Sequence, residues 1–128
     1  MEILFLFGRI IFGGFFLMNA WQHFTKLDSY SGYAASKGVP SPTVAVFVSG
    51  IFLLLGGLGV LFGVSPTASL TLLILFLVPI SFYMHAFWKV ADTNMKMTEQ
   101  IAFMKNLALI GALLMLYAVP VPWAYSVL

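Results

Sequence analysis

The sequence predicts an all-α integral membrane protein, a four-helix bundle with a short interfacial helix in its first loop. Three observations carry this. Hydrophobic residues make up 62% of the 128-residue chain and charged residues 8%, against about 45–50% and about 25% in an average soluble domain. Six basic and four acidic residues cannot clothe a surface that meets water on every side. Between Lys37 and Lys89 no formally charged residue occurs, a stretch too long for one membrane crossing and suited to two. The thirteen Phe residues and the scarcity of charge also exclude a disordered chain.

The first span is expected at about residues 3–24, an apolar run interrupted only by Arg9. Glu2, an arginine inside the apolar run and the lack of a small-residue cleavage site argue against a signal peptide. In the loop that follows, Asp28 is placed to cap a short helix ending at Gly38 before Pro40, with Tyr30 and Tyr33 as interfacial anchors. The second span is expected at 43–62 and the third at 67–88, joined by Gly63-Val64-Ser65-Pro66-Thr67. There Gly63 closes one helix, Ser65 caps the next and Pro66 takes its first position. Pro79 falls mid-span and should kink the third. The fourth is expected at 101–119, stopped by Pro120 and Pro122, with Trp123 and Tyr125 in the headgroup belt. All four form one membrane domain over residues 1–128.

Four spans put both long loops on one side. These loops hold Lys26, Lys37, Lys89 and Lys96, with Lys105 just beyond. The positive-inside rule then places the long loops in the cytoplasm and both ends of the chain outside. On the second span, Ser49, Gly56 and Gly63 recur every seven residues and Gly59 pairs with Gly63 as GxxxG. Small residues let helices approach closely in lipid, either within the bundle or against a partner subunit.

The polar residues in the membrane are the candidate site. A charge at Arg9 costs several kcal/mol unless it reaches headgroups or finds a partner, and Glu2 lies two turns away on the same face. Alternatively Arg9 anchors an anionic or carbonyl-bearing ligand. His23 ends the first span and His85 the third, and Glu99 falls at their level. Asn19, Gln22 and Asn106 lie nearby. These histidines are either interfacial residues or part of a cluster that carries protons or binds a quinone head. Two imidazoles and a carboxylate are metal ligands in principle. No HExxH or comparable spacing supports a metal, and none is expected. Asn19 and Asn106 suit hydrogen bonds between helices. With no cysteine, the chain cannot itself ligate an iron–sulfur cluster through thiolates. No phosphate loop or catalytic triad occurs, so no cofactor is evident. A net charge of +2 without a basic cluster argues against nucleic acid.

Gly8-Arg9-Ile10, the Asn19-to-Lys26 segment, the Gly38-Val39-Pro40 loop, Gly56-Gly57-Leu58-Gly59, His85 and Met104-Lys105-Asn106 follow in a telling order. Across about residues 7–116 this order resembles the DoxX family of small four-helix membrane proteins. The resemblance implies a bacterial or archaeal cell membrane and association with redox or stress enzymes. Some relatives are subunits of a thiosulfate:quinone oxidoreductase. It also implies a Glu in the second span before the Gly-Gly pair; here that stretch reads Ile51-Phe52-Leu53-Leu54. The chain is therefore expected to be an accessory subunit of a membrane oxidoreductase complex in contact with quinone, and not a catalyst alone. Its partners are the bilayer and other membrane subunits, or further copies of itself. The alternative is a lipid- or solute-binding carrier or assembly factor, with a cavity between spans one and three that reaches Arg9.

Overall fold

A computed structural model describes residues 1–127. Five α-helices follow in order: α1 (Glu2–Thr25), α2 (Leu27–Ser36), α3 (Pro42–Phe62), α4 (Pro66–Met84) and α5 (Thr93–Leu116). A 3₁₀ turn at Phe87–Lys89 links α4 to α5, and the described residues contain no strand. All helices but α2 are long and apolar enough to cross a membrane. Their outward residues include Ile3, Phe7, Ile11, Met18, Leu55, Leu75, Leu114 and Met115, all exposed. In water this would be a liability; in lipid, where every backbone group must be paired within the segment, an apolar outer face is what a helix needs.

α1 packs chiefly on α3, α3 on α4, and α4 on α5. The short α2 lies across α3 and touches α1. At the centre, Phe16, Leu53, Leu70, Leu73 and Leu113 are fully buried. Glycines set the closeness of two of these contacts. A Cβ on Gly13 of α1 would meet the Gly57 carbonyl of α3 at 3.0 Å. On the neighbouring face of α3, a Cβ on Gly59 would collide with the Ser69 hydroxyl of α4. The Gly56 and Gly59 positions thus serve packing inside the chain and are covered by α4.

Several helix ends depart from expectation, among them that of α5, which stops at Leu116, three residues before the expected 119. α2 starts one residue before Asp28, which sits in its first turn. Val39 N–H bonds to the Ala34 carbonyl at 3.1 Å, with Gly38 left-handed between them (φ 82°). Ser65 takes the N-cap place of α4 with Pro66 at N1, but its side chain makes no capping bond and its backbone is left-handed. α4 ends at Met84, four residues before the expected boundary, and the chain turns through His85 and Ala86. α5 begins eight residues before the expected Ile101, because the polar stretch Thr93–Gln100 is helical although it is not apolar.

Candidate functional site

Two groups of polar residues sit at opposite ends of the bundle. At the end where α3 finishes, Arg9 points inward and is only 3% exposed. Its Nε donates to the Val60 carbonyl at 3.1 Å and Nη2 to the Leu61 carbonyl at 3.0 Å. Nη1 donates to the Ala124 carbonyl, and Nη2 also lies 3.4 Å from that of Tyr125. The rings of Phe5 and Trp123 flank the guanidinium, at 5.7 and 5.8 Å to their centroids. Neither a reach to the headgroups nor a pair with Glu2 describes this residue. Backbone carbonyls freed at the helix end satisfy its donors at closer range.

Arg9 thereby ties down the segment after α5. Trp123 is buried edge-on to Phe5, at 5.2 Å between centroids. It packs into the core of the bundle and does not sit in a headgroup belt. Ser126 Oγ donates to the Gly63 carbonyl at 2.9 Å, and Val127 N–H to that of Phe62 at 3.1 Å. Gly63 is left-handed (φ 69°), and a Cβ there would meet Arg9 Nη2 at 3.0 Å and Ser126 at 3.2 Å. Two requirements, for φ and for space, thus fall on one glycine.

At the long-loop end lies a cavity of about 810 Å³ between α1, α3 and α4, roofed by α2. Its walls are mostly apolar and include Phe16, Phe52, Leu53, Phe76 and Pro79. His23, His85, Asn19, Asn106, Lys105 and Ser49 also face it. His23 is buried, and its Nδ1–H donates to the Asn19 carbonyl at 2.8 Å. Its ring lies edge-on to Tyr30 and Phe76, at 4.9 and 5.7 Å. The Asn19 amide is turned to the Phe15 carbonyl, 2.8 Å away. Gln22 accepts from the Tyr30 hydroxyl at 2.9 Å, fixing the roof to α1. Lys105 stands over the Phe15 ring at 5.6 Å.

Glu99 is 7% exposed and lies just outside the cavity wall. Its Oε1 accepts from the Tyr33 hydroxyl at 2.9 Å. Its Oε2 lies 3.1 Å from Lys37 Nζ and 3.5 Å from His85 Nδ1. Partial burial and the neighbouring carboxylate push the Tyr33 phenol up to about 12, so it stays a hydrogen-bond donor at any ordinary pH. Sequence reasoning placed Glu99 and both histidines at one level, and the structure brings Glu99 against His85 while His23 faces the same cavity. It missed Tyr33 and Lys37 as partners of Glu99. Tyr33 reads as an interfacial anchor, and Lys37 as one cation among several.

The expected cavity is present, but Arg9 does not line it; the two sites are separate. Phe52 and Leu53 stand on the cavity wall in the stretch where the resemblance implies a Glu. A family model for DoxX matches residues 4–86, about two thirds of the chain. The chain belongs to the DoxX family. The match takes in Arg9, His23, His85 and the α3 glycines, and ends before α5 with Glu99 and Asn106. No curated protein and no solved structure matches the chain. As a DoxX protein with four apolar crossings, it is an integral membrane protein.

Proposed function

We propose that this DoxX protein is an accessory subunit of a membrane oxidoreductase complex, and that its cavity receives a quinone-type ligand. The observation that carries the reading is the cavity at the long-loop end. Its volume of about 810 Å³ falls in the ordinary range for small-molecule sites, roughly 300–1,000 Å³. Apolar walls suit a ring and an isoprenoid tail. The Asn106 amide, the Lys105 ammonium and the His85 imidazole are the donors such a ligand's carbonyl oxygens need, while His23, its Nδ1–H held by the Asn19 carbonyl, offers Nε2 as an acceptor. The bound group would supply two-electron chemistry; the residues of this chain hold its oxygens and keep water out.

In this reading the electrons come from a partner, since a chain without cysteine offers no thiolate ligands for an iron–sulfur cluster of its own. That electron-supplying partner is another membrane subunit; further copies of this chain share its lack of cysteine and would pair with it only structurally. Lysines on both long loops support a cytoplasmic position for the cavity end. A native mass spectrum after gentle extraction tests the reading. Co-flying subunits and a quinone-sized mass are the expected result. A chain that flies alone, or with phospholipid only, overturns it and leaves a lipid- or solute-binding protein.

A further inference from the structure

We propose that Glu99 and His85 form a proton route from the long-loop surface into the membrane-embedded cavity. The inference rests on the reading of the cavity above and deepens it, because a quinone takes up protons when it is reduced. It starts from two concavities that share a wall. The inner one is the cavity already described. The outer one is an open vestibule lined by Ser36, Lys37, Asn94, Thr98 and Glu99. Tyr33 borders both. Glu99 faces the vestibule and His85 faces the cavity, and their Oε2 and Nδ1 atoms lie 3.5 Å apart.

The surroundings of this pair favour transfer over a static ion pair. His85 Nδ1 is buried and makes no well-aligned hydrogen bond, and Glu99 Oε2 is held only by the Lys37 ion pair at 3.1 Å. With the carboxylate ionised and the ring proton on Nε2, both facing atoms are acceptors, and a proton or a water between them satisfies both. Oε1 is held by the Tyr33 hydroxyl, so the carboxylate keeps Oε2 toward the ring. Lys37 sits on the vestibule side and draws the carboxylate outward. From α5, Lys105 also faces the cavity; from α1, His23 does; from α2, Tyr30 and Tyr33; from α4, Tyr83; α3 contributes none.

The step balances with one proton and no electron. A proton from vestibule water adds to Glu99 Oε2 and passes to His85 Nδ1. The ring then releases its Nε2 proton to a ligand oxygen in the cavity, and a change of tautomer restores the start. Glu99 hands protons on without touching the ligand; it is a positioning and relay residue, and His85 is the group that meets the ligand.

The chain has two histidines, so ¹⁵N-histidine labelling gives two sets of ring signals and His23 is an internal control. Exchange of the ring N–H protons with water is measured by NMR on the full chain in nanodiscs, with no ligand needed. E99Q should slow exchange at His85 at least tenfold and leave His23 within twofold. If E99Q does not fold, T98W fills the vestibule from an exposed position with Glu99 intact, and the same slowing is expected. Unchanged exchange at His85 in the folded variant, or equal slowing at both rings, overturns the route. Binding of decylubiquinone to the wild-type protein is measured on the same samples. Its absence defeats the quinone reading while the exchange result stands on its own.

Discussion

Arg9 is where a single residue matters most. A guanidinium in a membrane span is tolerated when it finds partners, and here three of its nitrogens meet four backbone carbonyls. R9L removes the charge but leaves those carbonyls unpaired in a dry site. A loss on the order of 2–4 kcal/mol is expected, with faster proteolysis after residue 116. Unfolding in mixed detergent and mapped protease cuts measure both; wild-type stability in R9L would mean the carbonyls find other donors. Gly63→Ala should cost about 1–2 kcal/mol from its left-handed backbone alone, before any displacement of Arg9. The sequence revealed that Arg9 needed a partner but not which one. Its acceptors are backbone atoms of residues 60, 61, 124 and 125, and side-chain patterns do not record carbonyls.

Among the helices, α2 and α3 show how contacts are set. The small residues of α3 serve two neighbours: Gly57 lets α1 in, and Gly56 and Gly59 let α4 in. A methyl group at Gly59 has no room beside Ser69, so G59A should destabilise the α3–α4 pair by about 1–3 kcal/mol. Thermal unfolding in detergent checks this, and an unperturbed G59A would show that α4 can shift aside. α2 is joined to α5 through the Tyr33–Glu99 bond and the Lys37–Glu99 pair. Y33F should leave the bundle folded and raise amide exchange in α2, at a cost of about 1 kcal/mol. Spans are legible in a sequence because lipid imposes a run of apolar residues. Ends are less so: Thr93–Gln100 is helical without being apolar, and that hid the first two turns of α5 and the setting of Glu99.

For the molecule as a whole, the two polar sites divide the labour. One end is closed by Arg9, Trp123 and the segment after α5; the other holds the cavity, its roof and the vestibule. Because the chain has no native cysteine, single cysteines can report topology without further changes. S36C and T98C should react with an impermeant maleimide from the same side, the cytoplasmic one, and S126C from the other. Labelling of S36C and T98C from opposite sides would contradict the bundle itself. The order of His23, His85 and Glu99 along the bundle follows from counting spans. The 3.5 Å approach of Glu99 to His85 does not, since it depends on how α4 and α5 rotate about their axes.

The clasp at Arg9 also has a meaning in time. During synthesis α1 enters the membrane long before Ala124 and Tyr125 leave the ribosome. A nascent chain stopped within α5 therefore carries a buried guanidinium short of two of its acceptors. The bundle thus satisfies its arginine in full only once the segment beyond α5 has been made and folded back.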